Sequence, residues 1–160
     1  MEYFFSKSKK GDTIGCGYDD WRQRLSNFYE CELEYKGKKF KSIECVFQFM
    51  KFEENNKEYA ARFEGIDSKE AKRLGGKMMC KKNKVELDIE WWNSVRLNKM
   101  KECVKLRCST DEVYGQIIKC AKEKNIKLVH FSRNDTFWGG KIKENDVIGL
   151  NHLGNIIMSM

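Results

Sequence analysis

The 160-residue chain contains no proline and only two histidines, His130 and His152. Without proline, no boundary can be read from a ring-locked φ, so element ends must be read from glycine, capping side chains and hydrophobic periodicity. Two histidines, and seven cysteines with no CxxC among them (Cys16, Cys31, Cys45, Cys80, Cys103, Cys108 and Cys120), give no zinc ribbon, and no structural metal is expected. The odd cysteine count argues against a disulfide framework and for reduced thiols in a cytoplasmic setting. No apolar run approaches the roughly 20 residues of a membrane span. The opening MEYFFSKSKKGD has too short an apolar patch for a secretory signal and sets it ahead of its lysines, so an unexported protein is expected. GxGxxG, the Walker A loop, HExxH and GxSxG are all missing. Neither histidine comes with a convincing serine or cysteine partner, which leaves a nucleophile–histidine triad unsupported.

What remains is an ordinary globular composition, 41% hydrophobic and 34% charged, at a length that suits one domain over residues 1–160. The net charge of +7 raises the prior for a phosphate-bearing partner. Acidic residues are interspersed among the lysines, however, and clusters such as Lys36–Lys41 and Lys81–Lys82 are short, so most of this charge reads as a solvated surface.

Periodicity predicts a mostly helical α+β fold with a small antiparallel sheet. Gly11–Asp20 reads as an early loop, and CELEYKGKKFKS as a hairpin about Lys36–Gly37. Ser42 is a helix cap, with Cys45 where a capping box prefers glutamate, and IECVFQFMKFEENN is the helix that follows. A short helix ends near Gly65. Another is capped by Asp67 or Ser68 and stopped by Gly75–Gly76. The longest helical pattern runs from Trp91 to Cys108, with Trp92, Val95, Leu97, Met100, Cys103, Val104 and Arg107 as its apolar track. Asp111 opens the next helix, KLVHFS is a strand, NDTFWGG a turn-like loop, and GLNHLGNIIMSM a final helix that Asn151 would cap.

Two constellations carry chemical potential. Glu44, Gln48 and Lys51 stand at i, i+4 and i+7, which puts a carboxylate, an amide and an amine in one stripe of a helix. By spacing alone that stripe reads as a solvated face. The flanking Phe47, Phe49 and Phe52 suggest instead that it is enclosed, which would shift both titratable groups toward acid–base or Schiff-base use. In RNDTFWGG, Trp138 beside a glycine pair could stack a base or sugar, or plug the core, with Asp135 as an Asx-turn residue. The two readings of that loop are evenly balanced. Asn27 in LSNFYE is either an Asx-turn residue or a ligand amide, and at least one of Trp91 and Trp92 belongs to the core.

Six segments occur in an ordered succession: LSNFY, KGKKFKSIECVFQFMKF, AKRLGGK, WWNSVRLNKMKECVKLRC, LVHFSRNDTFWG and GLNHLGNIIM. This succession resembles the NADAR, or YbiA-like, family over roughly residues 25–160. The family's motifs fall on Ser26, Asn27 and Phe28; on Ser42, Glu44, Phe47, Gln48, Lys51 and Phe52; on Ala71, Leu74 and Gly75; on Trp92 and Met100; on Asn134, Asp135, Phe137, Trp138 and Gly139; and on Asn151, Leu153, Gly154, Ile157 and Met158. The resemblance implies one α+β domain that cleaves an N-glycosidic bond without cofactor or metal. The implied substrate is a phosphoribosylamino-pyrimidine intermediate of riboflavin synthesis or an ADP-ribosyl group on guanine, the latter free or in nucleic acid. It makes Glu44, Lys51 and Asp135 the expected catalytic residues, with Lys51 as cationic donor or Schiff-base amine. Asn27, Phe28, Gln48, Trp92, Asn134, Trp138, Gly139 and Asn151 are expected to line the substrate, and Arg73, Lys77 or Lys105 to meet phosphate. The chemistry is then expected where Ser42–Phe52 meets Phe131–Gly140. The chain departs from the family pattern at Cys45 (often histidine), Gly76 (often arginine), His130 (often acidic) and His152 (often arginine). Those departures keep a non-catalytic binder of ADP-ribose or NAD as the alternative.

Overall fold

The computed structural model describes all residues from Met1 to Met160. In chain order its elements are β1 (Glu2–Phe4), α1 (Trp21–Arg24), β2 (Leu33–Tyr35), β3 (Lys38–Phe40), α2 (Ile43–Phe52), α3 (Lys57–Ala60), α4 (Ser68–Leu74), α5 (Lys77–Lys82), α6 (Ile89–Thr110), α7 (Glu112–Glu123), β4 (Leu128–His130), β5 (Lys141–Lys143), β6 (Asp146–Ile148) and α8 (His152–Ser159), with a 3-10 turn at Ala61–Phe63. The fold is α+β, as the periodicity predicts. The chain forms two compact units, one of Met1–Ser26 with Cys108–Met160 and one of Asn27–Arg107. No helix is long and apolar enough to cross a membrane.

In the second unit, β2 and β3 pair antiparallel with Leu33 opposite Phe40 and Tyr35 opposite Lys38. Lys36 (φ 51°) and Gly37 (φ 74°) both take positive φ, the two-residue turn whose twist matches its strands. Ser42 then caps α2, its hydroxyl accepting the Cys45 N–H at 3.3 Å, as expected. The same hydroxyl lies 2.6 Å from that of Ser68, the first residue of α4, so one cap ties two helices together. Every residue of α2 except Lys51 is buried. Phe49 packs on Phe40 at 5.0 Å between ring centroids, and Phe52 stacks on Phe63 at 5.5 Å. α4 is capped by Asp67, which accepts from the Glu70 N–H at 2.8 Å. The sequence reading of Gly75–Gly76 as a stop omits α5, which begins immediately afterwards. On α6 the buried residues are Trp92, Met100, Cys103, Val104 and Arg107, while Val95 and Leu97 of the expected track are only half-buried.

In the first unit, β1 pairs with β4 in parallel, Glu2 opposite Leu128 and Phe4 opposite His130. The expected antiparallel pairing is present in β2–β3 and β5–β6, and this parallel pair is a third two-stranded sheet that no sequence signal announced. The β5–β6 hairpin lay inside no predicted element. α7 starts at Asp111, whose carboxylate accepts the Tyr114 N–H.

Asn151 does not cap α8, against expectation. It sits in the left-handed region (φ 49°), where asparagine is tolerated, and makes no side-chain cap bond. Instead the carbonyls of the loop before β5 satisfy the helix start. Those of Gly139, Phe137 and Trp138 accept the N–H groups of Asn151, His152 and Leu153 at 3.1–3.2 Å. The freed Asn151 amide braces β4, accepting from the His130 N–H and donating to the Leu128 carbonyl, both at 2.9 Å. Each buried group left without its partner costs about 1–3 kcal/mol, so this side chain is a structural tie.

Candidate active site

The stripe of Glu44, Gln48 and Lys51 lies in the second unit, and its solvated reading is overturned. Glu44 and Gln48 are each 9% exposed. The Gln48 amide donates to Glu44 Oε1 at 3.0 Å, and Lys51 Nζ donates to the Gly75 carbonyl at 2.9 Å. Burial pushes the Glu44 carboxyl up, opposed by the Gln48 hydrogen bond and by the charges of Lys72 and Lys51. Burial pulls the Lys51 amine down, opposed by the nearby Cys80 and Glu44. Both groups are thereby driven toward their neutral forms, the condition for a buried proton donor and a nucleophilic amine. Lys51 Nζ also lies 5.5 Å from the Phe52 ring centroid and 6.0 Å from that of Trp92, so aromatic faces wall it in. Trp92 is the buried member of its pair, packed on Phe47 at 5.0 Å.

Gly75 closes this arrangement for a reason the sequence does not give. Its backbone (φ −80°, ψ −3°) suits any residue. A Cβ there, however, would fall 2.0 Å from Gln48 Oε1 and 2.6 Å from its amide carbon. The glycine is needed because the Gln48 side chain fills the space a methyl group would take. Gly75→Ala is therefore expected to push Gln48 off Glu44 and to lower turnover at least about 10-fold, while the helix-end conformation itself tolerates alanine. A crystal structure of the variant and its kcat check this. Unchanged activity with Gln48 still bonded to Glu44 would refute it.

Asn27 joins the same neighbourhood. Its carbonyl accepts the Glu44 N–H at 3.1 Å, occupying one of the open donors at the start of α2, and its amide contacts Met100 Sδ at 3.5 Å. Asn27 Oδ1 and Gln48 Oε1 are both buried without a hydrogen-bond donor, the latter packed against Gly75. Phe28 is half-buried beside them.

The expected phosphate contacts do not assemble here. Arg73 is exposed and its guanidinium is committed to Glu70 through two bonds, 2.8 and 2.5 Å. Lys77 and Lys105 are exposed, on α5 and α6. Cys45, where relatives often carry histidine, is fully buried and contacts the Ile66 carbonyl at 3.2 Å. Burial raises its thiol pKa, so it is a packing residue.

In the first unit, Asn134 and Asp135 are exposed, Trp138 is half-buried and Gly139 is buried. The Asx reading of Asp135 is realised: its Oδ1 accepts the N–H groups of Phe137 and Trp138, both at 3.0 Å. Trp138 stands edge-on to Phe137 at 4.9 Å, and the His152 ring lies 4.5 Å from that of Phe137. Gly139 is confined by the His130 carbonyl, 2.4 Å from where its Cβ would be. Asn151, expected as a ligand amide, has both polar side-chain atoms engaged on β4 and is 2% exposed. Two residues with a direct bearing on the site were not singled out in the sequence, Lys72 and Cys80. Cys80 Sγ shares the Gly75 carbonyl with Lys51 at a long 4.0 Å.

A buried carboxyl, a buried amide and a half-buried amine thus share one helix of a small α+β fold. The chain belongs to the NADAR family: the NADAR domain model matches residues 4–160, through both compact units. Among solved structures, the NMR structure of the E. coli protein YbiA is similar, with a TM-score of 0.70 and 21% identity, covering 98% of this chain and 81% of that one. That likeness bears on the fold alone. No curated protein matches the chain significantly. Family membership supports a glycosidase-like role.

Proposed function

We propose that this protein hydrolyses the N-glycosidic bond of a ribosyl-phosphate or ADP-ribosyl conjugate, with Lys51 as nucleophile and Glu44 as proton donor. The observation that carries this reading is a buried Glu44 and a half-buried Lys51 on one helix, with desolvation pushing each toward its neutral form. A neutral amine at Lys51 adds to C1 of the ring-opened sugar. The C1–N bond to the base then breaks as the departing nitrogen takes a proton from Glu44. Water hydrolyses the resulting imine, releasing the sugar aldehyde and restoring the amine. The Gln48 amide holds the Glu44 carboxyl in place, and the unpartnered acceptor of Asn27 suits a sugar hydroxyl.

A substrate panel read by mass spectrometry tests this, with ADP-ribosyl-guanosine, phosphoribosylamino-pyrimidines and NAD as its members. The expected result is release of free base from one of the first two classes. Binding of ADP-ribose by calorimetry with no turnover of any member would replace the enzyme with a non-catalytic binder.

A further inference from the structure

The substrate classes above carry phosphate, and Arg73, one of the cations expected to meet it, is engaged on Glu70. One cation does face the site. Lys72, on α4, lies with its Nζ 5.6 Å from the centroid of the Phe28 ring. It makes no ion pair or hydrogen bond, whereas its neighbour Arg73 is clamped on Glu70. Its charge is felt at the Glu44 carboxyl, more strongly than that of Lys51.

Its position follows from helix geometry. Ser68, one turn earlier, is buried and donates to the Phe28 carbonyl at 3.1 Å. The i, i+4 relation then puts Lys72 on the same face of α4, above the Phe28 ring. Asn27, next in the chain, presents its buried, unpartnered Oδ1, and is itself bonded through its carbonyl to the Glu44 N–H. A cation over an aromatic ring, beside an open acceptor and a buried carboxyl, is complementary to a sugar that carries an anionic group.

We infer that Lys72, poised over the ring of Phe28, is the anion-binding group beside Glu44, holding the phosphate of a ribosyl phosphate while Asn27 Oδ1 accepts from a sugar hydroxyl. This rests on the glycosidase reading for its substrate but not for its ligand chemistry. The experiment therefore has two arms on the full chain. In the first, steady-state kinetics compare a phosphoribosylamino-pyrimidine with its dephosphorylated counterpart. Lys72→Ala raises KM for the phosphorylated substrate about 10-fold and shifts the KM of the dephosphorylated one far less. Lys72→Arg recovers most of the loss, and Lys69→Ala, exposed on the same helix, has no effect. Equal KM changes for the two substrates, or none, overturn the inference. In the second arm, calorimetry with ribose 5-phosphate measures binding without turnover. Affinity lost in Lys72→Ala and kept in Lys69→Ala upholds the subsite even if no glycosidic bond is cleaved. Wild-type affinity in Lys72→Ala, or no binding by the wild type, overturns it.

Discussion

Replacing Lys51 by alanine will reduce turnover by at least about 1,000-fold and leave the fold intact, because the proposed covalent step needs the partly buried amine, and Lys72, the other amine nearby, is exposed. The side chain lies along the surface of α2, between Phe52 and Trp92, and ends on the Gly75 carbonyl. Truncation removes the amine without unpacking the buried rings on either side. Lys51→Arg separates the two roles a cation could play there. A guanidinium donates hydrogen bonds but stays protonated, so it cannot add to a carbonyl carbon. If Lys51 acts only as a cationic donor, the arginine variant keeps much of the activity. If it is the nucleophile, the arginine variant is as inactive as the alanine one. Borohydride added during turnover then traps a sugar adduct on the wild type, located at Lys51 by peptide mass mapping. Full activity in Lys51→Ala would sink the assignment.

Glu44→Gln is expected to lose about 100- to 10,000-fold in kcat, the usual contribution of a positioned proton donor. It is also expected to stabilise the protein at neutral pH. The folded-state pKa of Glu44 is raised by burial, so between the ordinary carboxylate range and that raised value the folded chain holds a proton that the unfolded chain has released. Stability is therefore fullest below the ordinary range and falls as pH rises through the folded pKa. Lys51 contributes the opposite slope at higher pH: its lowered pKa makes stability rise as pH climbs toward the ordinary lysine range. A glutamine at 44 does not titrate and still offers an amide oxygen to Gln48, so the variant escapes the first loss. Urea denaturation at pH 5 and pH 7.5 should show an advantage for Glu44→Gln that is present at the higher pH and shrinks at the lower. An active variant, or a variant less stable at both values, would contradict the role and the burial argument respectively.

The local features of the second unit were legible because their signals are short. Ser42 three residues before Cys45 reads as a cap, and Lys36–Gly37 between alternating runs reads as a turn; both hold. The i, i+4, i+7 spacing puts Glu44, Gln48 and Lys51 on one stripe, but spacing cannot say whether water reaches it. That depends on α4 and Gly75, further along the chain, and only the flanking phenylalanines and the ordered family motifs pointed to enclosure. Gly75 shows how a motif can hold more than its reading: it does end α4, and Gln48 also occupies its Cβ position. Asn151 has the composition of a cap, yet backbone carbonyls from residues 137–139 cap α8 and free its amide for β4. The parallel partner of β1 lies 126 positions away, from Glu2 to Leu128, beyond any periodicity window. Lys72 carried no signal of its own, being one lysine among many; its position becomes meaningful only once Ser68, one turn earlier, is known to hold the Phe28 backbone.

That long-range pairing of β1 with β4 also orders events in time. As the chain leaves the ribosome, Asn27–Arg107 is complete while β1 still has no partner, since β4 lies some twenty residues further on. The second unit, with α2 and the residues assigned to chemistry, can condense from contacts that are all within its own segment. The first unit must wait for its other half and close a large loop, the slower kind of contact to form. Until then Tyr3, Phe4 and Phe5 stand without the β4 strand and the Phe131 ring that later pack against them. The segment most exposed to mispairing during synthesis is thus β1, made long before its partner strand and outside the unit that holds the residues assigned to chemistry.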